Sequence, residues 1–130
     1  MLTNLINDTI RCHVAAHHSK ITVVPGACRW NFRCHNNAVH EAIERGHSKL
    51  ALVVYFDNDV PIVHFINFHS TDDFQDNTLG HWCKHYEYYF IRWVNENEFF
   101  DVYQIHRSMR KRLNKCLPWW LRLFVPYERS

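Results

Sequence analysis

The chain has 130 residues, of which 47% are hydrophobic and 22% are charged. A chain of this size and composition can bury a core, so we predict one domain over residues 1–130 and exclude a disordered protein. Only three glycines and four prolines occur, which excludes collagen-like and linker-rich chains. The formal net charge of +2 does not by itself indicate a nucleic-acid partner.

The apolar segments and the cysteine count predict a soluble, cytoplasmic protein without a transmembrane segment. The longest apolar run, residues 50–56, is shorter than the roughly 20 residues that a membrane span needs. Residues 1–10 lack the basic start and continuous apolar stretch of a secretion signal. Five cysteines are an odd number, so intrachain disulfides cannot pair all of them and reduced thiols are favoured.

Three elements are predicted in the first third of the chain. Apolar residues at roughly helical spacing over residues 2–14 indicate a helix, and residues 21–24 indicate a short strand. A second, amphipathic helix is predicted between Cys34 and Arg45, because apolar side chains recur there at intervals of three and four. Gly46 follows as its C-cap.

Two β-hairpins are predicted after the second helix, because β-branched and aromatic residues are concentrated in four runs. These runs are residues 49–56, 60–68, 86–94 and 98–105. Turn residues separate the first pair at positions 57–59 and the second pair at positions 95–97. The polar residues 70–80 are expected to form a connecting loop. The fold class predicted is therefore α+β, with a helix packed on an antiparallel sheet.

The C-terminal segment, residues 106–130, is basic and amphipathic. It contains six arginines and lysines before its first acidic residue, Glu128, interleaved with apolar residues. We expect a helix up to Pro118 whose apolar side covers the sheet. Binding of nucleic acid or of an anionic membrane surface are alternative roles for this segment. The candidate partner-binding residues are Arg110, Lys111, Arg112, Trp119 and Trp120.

Cys34, His64 and Asp76 are the candidate catalytic residues. Cys34 begins a predicted helix, where unpaired N–H groups and the helix dipole favour a thiolate. His64 lies among apolar neighbours on one face of a predicted strand, which is unusual for a histidine. Asp76 can accept a hydrogen bond from the second ring nitrogen of that histidine and orient it. Cys28 is the alternative nucleophile, and His69, Asp72 and Asp73 are the alternatives for the other two positions.

Eleven histidines and five cysteines make a metal site an alternative hypothesis. His81, Cys83 and His85 would share one face if they lay on a strand. However, the chain has no C-x-x-C pair, and structural zinc sites usually take closely paired ligands. We therefore predict no metal and no cofactor.

The residues around the three catalytic candidates resemble those of a known family. The segments are Cys34-His35-Asn36-Asn37-Ala38, His64-Phe65-Ile66-Asn67 and Asp76-Asn77-Thr78. They look like the C-x-x-N-A, H-x-W-N and D-x-T pattern of small transglutaminase-like and papain-like cysteine proteins, many of them from phages and bacteria. The resemblance covers residues 34–80 and implies a papain/transglutaminase-like core. It also implies that Cys34 is the nucleophile, His64 the base and Asp76 the orienting residue.

This chain departs from the family pattern at two points. Phe65 and Ile66 stand where the family has a tryptophan after the histidine, and no glutamine precedes Cys34 to supply the oxyanion hole. Asn31, Trp30 or the backbone N–H of Cys34 are the candidate replacements, because an oxyanion needs hydrogen-bond donors rather than one residue type.

The chemistry that the resemblance implies is covalent acyl transfer through a thioester. The expected substrate is an amide-bearing protein or peptide, and water or an amine completes the reaction. If a phage encodes the chain, the expected location is the host cytoplasm. The alternative is an inactive member of the fold that binds a protein or nucleic-acid partner, for example in phage counter-defence.

Overall fold

The computed structural model describes residues 2–26, 34–45, 49–69 and 72–125. These residues form a mixed α+β fold, which confirms the predicted class at this level. The helices are α1 (Leu2–His17), α2 (Cys34–Arg45), α3 (Val102–Lys115) and α4 (Trp119–Arg122). The strands are β1 (Ser19–Ile21), β2 (Val23–Pro25), β3 (Lys49–Asp57), β4 (Val60–Phe68), β5 (Phe74–Asp76) and β6 (Glu87–Val94). Two 3-10 helices span Gly80–His85 and Glu96–Asp101.

The six strands form one curled sheet in the order β1-β6-β3-β4-β5-β2. Every neighbouring pair is antiparallel except β2 with β5, which is parallel. Strands β1 and β2 are separated by Thr22 alone, yet they lie at opposite edges of the sheet. Because one residue spans at most about 3.6 Å, the two edges must approach each other there. The sheet therefore curls towards closure.

The β3–β4 hairpin is confirmed as predicted. Its strands pair from Lys49 opposite Phe68 to Asp57 opposite Val60, and the turn residues Asn58 and Asp59 both have positive φ, 48° and 67°. Two consecutive positive φ values are typical of a type I′ turn, whose twist matches the twist of paired strands. Asn and Asp adopt this conformation more readily than other residues with a Cβ.

The side chains of β3 and β4 alternate between two cores. Leu52 and Phe65 belong to a core that also contains buried residues of α1, α2 and α3. Val53 and Ile66 point to the other face and pack with residues of β6 and of the 3-10 helix Gly80–His85. His64 lies opposite Val53 in the register of the hairpin, so it belongs to this second face.

The predicted second hairpin is wrong in its second half. Residues 87–94 form β6, but residues 98–105 are helical instead of extended. The side chain of Asn95 accepts a hydrogen bond from the backbone N–H of Glu98, and the side chain of Glu98 accepts one from the backbone N–H of Asn95. This reciprocal capping box starts a helix. From Val102 onwards, buried side chains recur at helical spacing down to Leu113. Helix α3 therefore begins earlier than the predicted C-terminal helix.

The other predicted elements are confirmed or need adjustment. The predicted strand 21–24 is divided into β1 and β2, and the predicted loop 70–80 contains β5. The predicted helices in residues 2–14 and from Cys34 to Arg45 are confirmed as α1 and α2, whereas Gly46 lies outside the described residues. The apolar side of α3 is buried in the first core, as expected for the C-terminal segment. A short helix, α4, follows Pro118.

None of the helices in the part of the chain that the structure describes combines the length and the apolar character required to cross a bilayer.

Gly26 is required for the contact between the end of β2 and β5. Its N–H donates to the carbonyl of Asp76 over 3.0 Å, and a Cβ at this position would lie 2.9 Å from that same oxygen and clash with the side chain of Asn77. We expect Gly26→Ala to lower the free energy of unfolding by about 1–3 kcal/mol, the usual cost of overpacking. Urea unfolding measures it, with Ser19→Ala on the exposed β1 edge as control. A change below about 0.5 kcal/mol would contradict this close packing.

Candidate active site

Cys34 occupies the first position of α2, and only 7% of the residue is exposed. The start of a helix carries unpaired N–H groups and the positive end of the helix dipole, both of which stabilise a thiolate. Ala38, one turn later, and Phe65 of β4 belong to the same core as the thiol. The sequence-predicted nucleophile is therefore held at a helix N-terminus, against the sheet.

His64 and Asp76 form a buried pair between β4 and the end of β5. The Nε2 atom of His64 lies 2.9 Å from Oδ2 of Asp76, and the two residues are 3% and 0% exposed. Strands β4 and β5 pair antiparallel next to this contact. The sheet therefore brings the histidine and the carboxylate together, as the order of residue types predicted.

Both carboxylate oxygens of Asp76 accept further hydrogen bonds. The hydroxyl of Tyr88 donates to Oδ2 over 2.6 Å, while the backbone N–H groups of Thr78 and Leu79 donate to Oδ1 over 2.9 and 2.8 Å. Burial disfavours the carboxylate, but the charge and hydrogen bond of His64, together with the Leu79 and Tyr88 donors, outweigh it and lower the pKa of Asp76 to about 2. The carboxylate is ionised and fixed in orientation.

The thiol of Cys34 interacts with the side chain of His64 through hydrogen bonding and charge. Because Nε2 of the histidine faces Asp76, Nδ1 is the ring nitrogen left for the thiol. Burial disfavours the thiolate, yet hydrogen bonds to His35 and His64 and the charges of both rings lower the pKa of Cys34 to about 6. Burial likewise disfavours the imidazolium of His64. The charge and hydrogen bond of Asp76 outweigh this effect of burial and raise the pKa of His64. The site therefore favours a thiolate–imidazolium pair at neutral pH.

A second imidazole, His35, lies beside the thiol. Its Nδ1 is 3.8 Å from Sγ of Cys34, and its ring stacks on Tyr103 of α3 with centroids 4.5 Å apart and planes 14° from parallel. The ring of His106 is 4.6 Å from that of His35. Burial and the charge of His35 lower the pKa of His106 to about 4, so His106 is neutral at pH 7. Helix α3 thus contributes aromatic side chains next to Cys34.

Buried amide side chains connect α2 to the strands that carry His64 and Asp76. Asn67 donates to the carbonyl of Ala38 over 2.8 Å and accepts from Asn77 over 3.0 Å. Asn37 donates to the hydroxyl of Thr78 over 3.1 Å. Because a buried polar group left without a partner is costly, these bonds favour a single position of α2 relative to the sheet.

Several other sequence-predicted site residues are not part of this cluster in the described chain. Trp30, Asn31 and the alternative nucleophile Cys28 are outside the described residues. The alternative carboxylates Asp72 and Asp73 are exposed, in contrast to Asp76.

The residues suggested for partner binding lie on the two C-terminal helices. Lys111, Arg112, Trp119 and Trp120 are exposed, and Arg110 is half-buried beside a cavity between α1, β4 and α3. The four exposed side chains are available to a partner.

Residues 81–85 form a 3-10 helix, so His81, Cys83 and His85 do not share the face of a strand. Cys83 is buried with its thiol 3.6 Å from the carbonyl of Val23, while both histidines are exposed. Burial raises the pKa of Cys83 to about 11, which makes it a structural thiol. Among the described residues, no group of three histidine, cysteine or acidic side chains is arranged to hold a metal ion.

Sequence reasoning missed several residues of the site. Tyr88 lies in an aromatic run that predicts a strand and no more, and His35 lies in the cysteine motif without a predicted role. The only signal for Tyr88 is its position in β6, two strands from β4, and the order in which the strands pair does not follow from the sequence. Asn67 and Thr78 lie inside the family-like motifs, which predict no role for them.

Comparison with protein-family models, curated proteins and solved structures found no match for this chain.

Proposed function

We propose that the chain is a cysteine-dependent acyl-transfer enzyme with a papain/transglutaminase-like core, acting on an amide-bearing protein or peptide. One observation carries the proposal. A buried thiol at a helix N-terminus interacts with His64, which is bonded to a carboxylate that three other donors hold in place. A nucleophile, a base and an orienting acid in contact are the arrangement that nucleophilic catalysis by a thiol requires.

In the acylation step, Sγ of the Cys34 thiolate forms a bond to the carbonyl carbon of the substrate. The imidazolium of His64 donates its proton to the leaving amine nitrogen or alkoxide oxygen as the bond from that atom to carbon breaks, and a thioester remains. Asp76 stays ionised and stabilises the imidazolium. The backbone N–H of Cys34 belongs to the first residue of α2 and so has no acceptor within that helix, and it is the donor that we assign to the oxyanion.

In the second step, neutral His64 removes a proton from water or an amine, which attacks the thioester carbonyl. The carbon–sulfur bond then breaks and restores the thiolate–imidazolium pair. Water makes the enzyme a hydrolase, and an amine makes it a transferase. A reducing compartment such as the cytoplasm suits this chemistry, and the four described cysteines are free thiols.

The acyl-enzyme is the testable intermediate. We expect p-nitrophenyl acetate to acetylate Cys34, detected by mass spectrometry of peptides, with a burst of p-nitrophenol followed by slow turnover. Cys34→Ala is expected to abolish both the burst and the adduct. Cys12→Ala, which removes an exposed thiol, is the matched control and is expected to retain them. Added glycinamide, which accelerates turnover only if an amine enters the site, distinguishes transfer from hydrolysis.

A burst of unchanged size in Cys34→Ala, or acetyl groups distributed over Cys12 and surface histidines, would refute the proposal. The eleven histidines make this control necessary, because imidazole itself attacks activated esters.

A further inference from the structure

Four large apolar side chains are exposed together at the end of the described chain. We call them the C-terminal patch: Trp119, Trp120, Leu123 and Phe124, which are 73%, 43%, 74% and 55% exposed. Leu121, which lies between them in the sequence, is only 1% exposed and belongs to the first core. Four neighbouring exposed apolar side chains are unusual for a surface, and such patches mark interaction sites.

The C-terminal patch is held in a defined position. Leu117 and Leu121 are both buried in the core. Between them, Pro118 accepts a backbone hydrogen bond from Leu121 over 3.0 Å. The guanidinium of Arg122 folds back and donates to the carbonyls of Leu117 over 3.0 Å and of Lys115 over 2.7 Å. The patch is therefore presented by a packed turn and does not need to fold before it binds.

The surface beside the patch is cationic. Residues 102–125 contain no aspartate or glutamate. The contact between Arg122 and the carbonyl of Lys115 places the last turn of α3 next to the patch. Lys111 and Lys115, one helical turn apart, are both exposed. The cations of this region are Arg107, Arg110, Lys111, Arg112, Lys115 and Arg122.

We infer that the C-terminal patch and the end of α3 dock this protein peripherally onto an anionic phospholipid bilayer. Indole and phenyl rings and leucine side chains enter the boundary between head groups and acyl chains, while nearby lysines attract the anionic head groups. The combination of an exposed Trp–Trp pair, two further apolar side chains and adjacent cations fits this partner in both polarity and charge.

Two other partners fit the same surface less well. A site for nucleic acid needs aromatic residues on which bases stack and cations that are free to contact phosphates. Leu123 offers no stacking surface, and the guanidinium of Arg122 is already bonded to backbone carbonyls. A second copy of the chain would bring two cationic surfaces together, which is unfavourable. The inference does not depend on the proposed enzymatic activity.

Co-sedimentation of the full chain with vesicles tests the inference. We expect binding to vesicles of phosphatidylcholine with about a quarter phosphatidylserine, and much weaker binding to phosphatidylcholine alone. Trp119→Ala with Trp120→Ala is expected to lower the partition coefficient by roughly tenfold or more. The matched control is Trp82→Ala, which removes an indole that is 51% exposed on the 3-10 helix Gly80–His85, and it is expected to bind like the wild type.

The charge contribution is tested in the same assay. Lys111→Gln with Lys115→Gln is expected to lower binding to the phosphatidylserine vesicles roughly thirtyfold, because each lysine near an anionic surface contributes roughly a factor of five. Lys20→Gln with Lys84→Gln removes the same charge from exposed positions elsewhere and is expected to have little effect. All four lysines are on the surface, so far-UV circular dichroism is expected to show unchanged folding.

Three results would overturn the inference. The first is no binding of the wild type to phosphatidylserine vesicles, and the second is equal losses in the patch variants and their controls. The third is that Trp119→Ala with Trp120→Ala abolishes a concentration-dependent dimer or binding to a single-stranded oligonucleotide, while vesicle binding stays unchanged.

Discussion

Replacing Asp76 by alanine is expected to lower the free energy of unfolding by about 3–5 kcal/mol, the cost of breaking a buried ion pair from one side. The change leaves the imidazolium of His64 buried without the carboxylate that stabilises it. It also removes the acceptor from the hydroxyl of Tyr88 and from the N–H groups of Thr78 and Leu79. Urea unfolding at pH 7, followed by tryptophan fluorescence, measures the loss.

Two further variants show whether the loss comes from this site. Asp101→Ala removes an exposed carboxylate that makes no capping bond and is expected to change stability by less than about 0.5 kcal/mol. Tyr88→Phe removes a single hydrogen bond to the charged group and is expected to cost about 1.5–3 kcal/mol. An Asp76→Ala protein as stable as the wild type would refute the buried pair.

The same carboxylate predicts the acid dependence of stability. Because the folded-state pKa of Asp76 lies below its ordinary value of 3.8, its contribution is complete above about pH 4 and is lost as the pH falls through about 2. We expect Asp76→Ala to lack this part of the acid-induced loss. The measurement is the free energy of unfolding of the wild type and of Asp76→Ala at pH 7 and at about pH 2.5. The difference in stability between the two proteins is expected to be smaller at the lower pH.

Alkylation of Cys34 by iodoacetamide is expected to be half-maximal near pH 6, and His64→Ala is expected to shift it upwards. At pH 6 about half of a thiol with this pKa is ionised, against roughly 0.3% of a free thiol of pKa ~8.5. The thiolate of a less acidic thiol is intrinsically more nucleophilic, which offsets part of this difference in ionised fraction. We therefore expect the rate at pH 6 to fall about tenfold in His64→Ala.

Cys12 provides an internal control for this experiment, because it is exposed and meets the reagent in the same tube. Peptide mass spectrometry separates its labelling from that of Cys34, and its profile is expected to be the same in both proteins. His35→Ala is expected to raise the pKa of Cys34 as well, since both rings stabilise the thiolate. Superimposable Cys34 profiles in wild type, His35→Ala and His64→Ala would contradict the activated thiol.

The parts of the fold with strong local signals were predictable. Helix α2 has apolar side chains at helical spacing, and the β3–β4 hairpin has alternating strands on both sides of Asn58 and Asp59. The strand predicted at residues 98–105 is wrong, because this run is rich in aromatic and β-branched residues, which favour strands. The capping box between Asn95 and Glu98 and the burial of α3 outweighed that preference.

Other elements had no local signal to find. Strand β5 has three residues and is stabilised by pairing with β4 on one side and β2 on the other. The division of residues 21–24 into β1 and β2 depends likewise on distant partners in β6 and β5. Short strands of this kind are determined by tertiary contacts and not by the propensity of a few residues.

The candidate site was predictable in its residue types but not in its surroundings. Elementary chemistry and the family resemblance both point to Cys34 at a helix start, to His64 among apolar residues and to the later carboxylate of Asp76 as candidates. The hydroxyl of Tyr88 and the amide of Asn67 depend on which strands are neighbours and on where α2 lies against the sheet. These are properties of the assembled molecule.

The split between β1 and β2 has a consequence for folding. The two edge strands come from one segment but add to opposite ends of the sheet, so β1 can pair only once β6 is in place and β2 only once β5 is in place. The last residue of β2 pairs with Asp76, and Gly26 donates to the same backbone. The strand that carries Asp76 is thus paired on both edges only when the N-terminal segment docks. The geometry of the candidate site therefore depends on a segment that is distant from His64 and Asp76 in the sequence.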